Sequence, residues 1–205
     1  MNIKYKITFY SDWHCGSGLS SGADLDLLVI KDKDKMPFIP GKTMKGLIRE
    51  AIEDLKELDV KYKTKDLISI LGAEAKVKVN KESEADIEDN SGNELSFDKQ
   101  GCCFFKNAEL EDNLKIHVKN NNLQDFLYHS IASTAIGEDG VADEHSLRKI
   151  QVTVPCELTG EILDVPQDYF DLFSDALSFI KQLGQNRNRG LGRCSIEIIS
   201  KETKS

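Results

Sequence analysis

The stretch Phe38 to Glu50, FIPGKTMKGLIRE, decides how this chain is read. Its Gly-Lys-Thr is the tail of a nucleotide-binding P-loop. The complete motif needs a glycine five residues before that Gly, so that backbone N–H groups can wrap the phosphates. Counting back from Gly41 gives Met36, which argues against triphosphate binding. What remains is Pro40-Gly41 turn chemistry followed by an amphipathic helix. Met44, Leu47, Ile48, Ala51, Ile52 and Leu55 fall at helical spacing and form one apolar stripe. Lys42, Lys45 and Arg49 share another face. Thr43 is the expected N-cap, and the partial positive charge of the helix N-terminus adds to the two lysines. The segment suits a phosphate belonging to a chain rather than a wrapped triphosphate.

Upstream, Ile3, Tyr5, Ile7 and Phe9 alternate with Lys4, Lys6 and Thr8, the pattern of a half-buried strand. A glycine-rich stretch follows, and then LDLLVIKD, which reads as a short apolar strand. Downstream, a short helix is expected near Asp66–Leu71, and CCFFKNAEL reads as a strand. QVTVPCELTGEIL reads as one long strand with Val152, Val154, Cys156 and Leu158 on one side. Tyr169 to Leu183 is an amphipathic helix, and CSIEII is the last strand. The principal order is strand, helix, strand, strand, helix, strand. That implies an α+β fold with a ferredoxin-like βαββαβ core and insertions. The RNA-recognition motif shares this topology, although topology alone does not assign a function.

A length of 205 residues fits one domain over 1–205, with 40% apolar residues to supply its core. No apolar run is long enough for a membrane span, and the N-terminus enters strand alternation without a signal-peptide block, so a cytoplasmic protein with no membrane partner is expected. Five scattered cysteines without a CxxC pair support neither a disulfide framework nor a zinc site. Net charge is −8, a weak argument against nucleic acid. Its distribution changes that argument: residues 81–100 carry seven acids and two lysines, the composition of a solvated loop. The rest of the chain is only mildly acidic, which leaves room for a local basic site.

Two further stretches carry chemistry. GQNRNRGLGRC holds Arg187, Arg189 and Arg193 with Gly184, Gly190 and Gly192, and no acid. Arginine forks bind phosphate bidentately, and glycines let a backbone approach a polyanion closely. A charged turn before an edge strand is the plainer reading of that loop. In DWHCGSGLSSGADLD, Gly16, Ser17, Gly18 and Gly22 make a flexible loop beside His14, Asp24 and Asp26. A histidine there can donate to phosphate or act as acid or base, and aspartates can hold Mg²⁺; a polar turn with a half-buried His is the plainer reading.

The His-x-Gly-x-Gly loop, the Ile-Pro-Gly-x-x-x-Lys-Gly helix start and the Arg-Gly-x-Gly-Arg loop occur in this order. Together they resemble the RAMP superfamily of CRISPR proteins, and more narrowly the repeating backbone subunit of type III RNA-guided effector complexes. The resemblance implies a subunit that lines a guide RNA, binds complementary target RNA, and assembles with copies of itself or other RAMP subunits and the rest of the complex in antiviral defence. The positions it assigns to RNA are His14, Gly16, Ser17 and Gly18, then Lys42, Lys45 and Arg49, then Arg187, Arg189, Gly190, Gly192 and Arg193. It assigns to Asp26 the catalytic and metal-holding role in cleavage of target RNA, with Mg or another divalent cation as cofactor. Asp24 matches less well. The resemblance also implies a thumb-like hairpin within 119–149. Two departures stand out: Leu28 replaces the usual proline after the aspartate, and the acidic insertion 76–100 is unusual for an RNA binder. Alternatives left open are a non-catalytic structural or capping subunit, and a guide-processing endoribonuclease using His14 in metal-free acid–base catalysis.

Residues 81–100 hold too little apolar surface to offset the entropy of ordering. Replacing them with a short Gly/Ser linker is expected to leave the melting temperature within a few degrees of wild type, as measured by thermal denaturation.

Overall fold

The computed structural model describes residues 1–18, 26–58, 60–62, 65–73, 100–137, 140–141 and 146–202. Most of the acidic insertion and Asp24 lie outside these residues. The elements in chain order are β1 (Asn2–Phe9), β2 (Phe38–Ile39), α1 (Gly41–Leu58), α2 (Leu67–Leu71), β3 (Phe104–Phe105), β4 (Ala108–Glu109), α3 (Asp112–Asn120), β5 (Tyr128–Ser133), β6 (Arg148–Thr153), β7 (Glu157–Leu163), α4 (Phe170–Phe179) and β8 (Cys194–Glu202). The main sheet is antiparallel, in the order β2-β4-β7-β1-β8, with β3 also paired to β7. Strands β5 and β6 form a separate two-stranded sheet.

The alternation in β1 does what its period requires. Ile3, Tyr5, Ile7 and Phe9 are buried on one face, opposite Leu158 and Ile162 of β7 and Ile196 of β8. Helices α1 and α4 cover that face. The stripe read from sequence is the face α1 buries: Met44, Ile48, Ala51 and Ile52 are inside, with Leu47 and Leu55 at its margin. Helix α4 contributes Leu172, Phe173, Ala176 and Leu177, and Phe173 meets Phe105 at 6.4 Å between ring centroids. Each such fully buried large side chain contributes roughly 1.5–3 kcal/mol of transfer free energy. The opposite face of the sheet is polar, with Lys6 paired to Glu157 and Lys106 to Glu161. Among the described residues no helix is long and apolar enough to cross a membrane.

Four expectations are corrected. The long strand over 151–163 is two strands in two different sheets, β6 and β7. Pro155 has no N–H to continue a ladder and biases the residue before it, so the chain turns there. The CCFFKNAEL strand is interrupted at Lys106-Asn107: Phe105 pairs with Ile162 and Glu109 with Thr159, so one extra residue bulges on this side. The segment read as LDLLVIKD forms isolated bridges at Leu27, Val29 and Lys31 rather than a strand. Thr43 is not the N-cap either. The helix begins at Gly41, and the Pro40 carbonyl accepts from the Thr43 and Met44 N–H groups at 2.9 and 3.1 Å. The cap is supplied from the bulge, where Asn107 Oδ1 accepts from the Gly41 N–H at 3.0 Å.

This close approach explains the glycine in PGK. A Cβ at position 41 would lie 2.0 Å from the Phe105 carbonyl oxygen, a backbone atom that cannot move aside alone. Gly41→Ala is therefore expected to destabilise the fold by about 3 kcal/mol or more, at the top of the overpacking range. Urea unfolding of the two proteins measures the difference.

Candidate nucleic-acid interface

Residues 10–18 and 183–193 are clipped together by their backbones. Tyr10 N–H donates to the Arg193 carbonyl at 2.8 Å, Gly192 N–H to Asp12 at 2.7 Å, and Gln185 N–H to His14 at 2.9 Å. The C-terminal loop closes on itself through Leu183 N–H to the Gly192 carbonyl. Gly192 is required there: its φ is +71°, and a Cβ would meet the Leu183 carbonyl oxygen at 1.9 Å. At the tip, Asn186 and Gly190 adopt positive φ on either side of a single 3₁₀ turn, Arg187–Arg189. The tight turn leaves Arg187 and Arg189 exposed, and Arg193 is exposed beside them.

The β5–β6 hairpin docks onto the first loop. Trp13 and Thr153 exchange backbone hydrogen bonds at 3.0 and 2.8 Å. Residues 26–31 lie between the two: Ile30 and Ser17 N–H groups bond to Cys15 and Leu28 carbonyls, while Gln151 N–H donates to Leu27. This is why the segment is not a regular strand, since its partners come from three segments, the first loop, β6 and Pro37, over a residue or two each. Lys31 Nζ stands 3.9 Å over the Tyr128 ring, tying the segment to β5. Burial draws the Lys31 ammonium below the usual lysine range, against the opposing pull of Asp125.

Asp26 sits against β6 at the loop end of the hairpin ladder. Its N–H donates to the Lys149 carbonyl at 2.9 Å, and its Oδ2 accepts from the Lys149 N–H at 2.7 Å. The carboxylate is thus exposed yet fixed in direction by β6. Beside it, Arg148 joins Gln185, Arg187 and Arg189 in lining a groove of about 800 Å³. Among the described residues none of these three arginines forms an ion pair. Arg148 was not singled out from sequence. Its signal was the adjacent basic pair Arg148-Lys149 after an acidic turn, unremarkable until the hairpin brings it against the C-terminal loop.

His14 is placed differently from a surface contact. It is fully buried, and its Nδ1 lies 2.6 Å from the Gln151 carbonyl, so this nitrogen carries the donated proton. Among the described residues its Nε2 has no hydrogen-bond partner, and it is packed near Gly16 and the Gln185 side chain. The ring therefore joins the first loop to β6 and, as placed, has no open path to a phosphate. Gly16 and Ser17 are half-buried, and Gly18 is exposed with a φ of +78°.

The helix cluster is also divided. Lys42 is exposed and Lys45 half-buried; both line a groove of about 540 Å³ with Gly46, Glu50 and Glu53. Arg49 Nη2 is committed to the Leu71 and Gly72 carbonyls at 3.1 and 2.7 Å, which secures the end of α2. Leu47 and Glu50 border a smaller groove shared with Arg187, so the two basic clusters adjoin, with Glu50 between them. Among the described residues no group of three His, Cys, Asp or Glu side chains could hold a metal ion.

A family model for the RAMP superfamily matches residues 6–195. A search of curated protein sequences gives no match. Among solved structures, a chain of the type III-B Cmr-beta complex bound to cognate target RNA is similar at a TM-score of 0.66 and 12% identity. A chain of the apo state of Cmr-beta is similar at 0.62 and 13%. Each comparison covers 97% of both chains, and at these identities the likeness is one of fold.

If the arginine groove grips phosphates, binding should be salt-dependent. Arg187→Ala with Arg189→Ala is expected to flatten the slope of log affinity against log salt by about 0.7 per lost contact on single-stranded RNA. Filter binding over a salt series measures this, and an unchanged slope removes the loop from the interface.

Proposed function

The chain belongs to the RAMP superfamily, and from that premise we propose that it is an RNA-binding subunit of a type III CRISPR effector complex. It lines the guide RNA, receives complementary target RNA and serves antiviral defence in the cytoplasm. The observation that carries the reading is the groove lined by Arg148, Arg187 and Arg189, drawn from two separate elements and, among the described residues, without an ion pair. Asp26, its carboxylate held by the Lys149 N–H, bonds to the residue next to Arg148. Net charge would not have suggested it; local charge without acidic partners is what a polyanion requires.

The finer architecture fits the same reading. Strand order β4-β7-β1-β8 with α1 and α4 on one face is what a ferredoxin-like βαββαβ core with the β3–β4 edge as its second strand would give. In this reading the β5–β6 hairpin and the turn that joins its strands supply the thumb expected within 119–149, with β6 running past that bound to Thr153. Ile136, Val141 and Leu147 are exposed there, apolar side chains suited to wedging against unstacked bases. The acidic segment 76–100 is then an insertion on the single RAMP domain, away from the groove-lining residues in sequence.

In this reading Asp26 is the cleavage residue. A target 2′-hydroxyl oxygen would bond to the adjacent phosphorus while the 5′-oxygen departs, leaving a 2′,3′-cyclic phosphate. The Asp26 carboxylate would take the 2′-hydroxyl proton or hold a divalent cation, and the leaving oxygen would acquire a proton from solvent. Mg²⁺ is held by one or two carboxylates together with substrate phosphate oxygens, and the Asp26 carboxylate fits that sparse donor set. Such a cation would neutralise charge that develops on the phosphate. The runner-up is a subunit that binds RNA without cutting it, favoured by Leu28 in place of the usual proline. A guide-processing enzyme built on His14 finds less support, because that ring is buried and engaged with Gln151.

Asp26→Ala in the reconstituted complex, given labelled complementary RNA and Mg²⁺, is expected to slow cleavage at least about 10²-fold. Guide affinity should stay near wild type, because the grip comes from the basic positions. Cleavage at the wild-type rate would remove Asp26 from the chemistry, and an inert wild-type complex would establish the structural subunit instead.

A further inference from the structure

Cys102 and Cys103 are adjacent in sequence, and their sulfurs are 3.9 Å apart. Cys102 is exposed and Cys103 buried. They share a groove of about 360 Å³ with Gly41, Lys42 and Lys45, the start of the helix assigned to RNA. We propose that these two thiols are a redox modification site, closed by a peroxide into a disulfide that loosens the lysine-bearing helix face.

The coupling runs through the end of α2. Four successive carbonyls there, on Ser69, Ile70, Leu71 and Gly72, lack partners within their own helix and are held from outside. The Cys102 N–H donates to Ser69 at 3.0 Å and the Cys103 N–H to Ile70 at 3.1 Å. Arg49 of α1 takes the other two. Gly101 sits hard against the same turn, where a Cβ would lie 2.4 Å from the Ile70 oxygen. The backbone that carries the thiol pair and Arg49 of the basic helix therefore hold one and the same short turn. Two residues later, the Phe105 carbonyl abuts Gly41.

Adjacent Cα atoms across a trans peptide are about 3.8 Å apart, less than the ~4.4–6.8 Å an ordinary disulfide prefers. Closing the pair must twist the Cys102–Cys103 peptide and pull the Cys103 N–H away from Ile70. A bond strained in this way is also readily reduced, as a reversible switch requires. The chemistry has a natural order. Burial, and next the neighbouring Cys102, push the Cys103 thiol up to about 12, so the exposed Cys102 is the first to react. Its sulfur takes one peroxide oxygen, giving a sulfenic acid and water. The Cys103 sulfur then displaces hydroxide from it, and the thiol proton leaves with that hydroxide as a second water. Two electrons pass from the sulfurs to the peroxide O–O bond.

The consequence for RNA rests on the proposed function; closure and loosening do not. The full chain is treated with hydrogen peroxide, alkylated without reduction and digested for mass analysis. The expected product is a peptide lacking two hydrogens, with neither cysteine alkylated, restored by dithiothreitol. Hydrogen exchange of the Cys103 amide should speed up roughly tenfold, the factor for about one lost hydrogen bond. Cys102→Ser should keep the reduced exchange pattern with or without peroxide, and RNA affinity should fall on oxidation in wild type alone. Sulfinic acid or interchain disulfides without intrachain closure would overturn the proposal. So would closure that leaves the Cys103 amide protected. Absence of RNA affinity in the reduced protein would count against the RNA-binding reading, while mass and exchange would still judge the thiol pair.

Discussion

Backbone hydrogen bonds between the first loop and the C-terminal loop are the constraint on which the remaining site depends. Tyr10 to Arg193, Gly192 to Asp12 and Gln185 to His14 fix the two segments without using a functional side chain. The arginines of the 183–193 loop are then free to meet a ligand, because their positions are set by main chain. The same first loop also bonds to β6 through Trp13 and Thr153, which brings Arg148 and the Asp26 carboxylate to the same edge. A site assembled through backbone contacts tolerates exchange of its exposed side chains better than exchange of its buried glycines. Gly192, with a carbonyl 1.9 Å from where a Cβ would stand, is the least replaceable residue in it.

An overall charge of −8 and a local basic groove are compatible because charge acts over short distances in salt. The Debye length at physiological ionic strength is about 8 Å, so an acid farther than that from a phosphate among Arg148, Arg187 and Arg189 does little to it. Glu50 stands between the arginine groove and the lysines of α1. It divides the basic surface into two patches and disfavours a backbone that runs straight across it.

The sequence made the regular elements legible and the irregular ones illegible, for physical reasons. Period-two burial in β1 and the apolar stripe of α1 are set by local geometry, so both were visible in the residues. The split at Pro155 was visible too, had the missing N–H outweighed the continuous alternation on either side. The bridges at Leu27, Val29 and Lys31 were not, because each depends on a partner remote in sequence. Among the candidate site residues, Asp26 and the arginine loop were singled out from resemblance and local composition. Arg148 required the hairpin to fold back, Arg49 turned out to secure α2, and His14 turned out to be a buried joint rather than a surface contact.

The pairing of β1 has a consequence for how the molecule reaches this state. The central strand lies between β7 and β8, with Phe9 opposite Cys194 and Ile7 opposite Leu158. Its apolar face is made long before either neighbouring strand, since β7 and β8 both follow it at a large separation in sequence. Contacts this distant in sequence slow folding, because the loop between them must close before any pairing energy is gained. During translation, then, Ile3, Tyr5, Ile7 and Phe9 form an uncovered hydrophobic edge that can be shielded only by α1, by a chaperone or by a neighbouring nascent chain. Selection on this sequence therefore acts on how the chain survives that interval as well as on how the finished fold holds together.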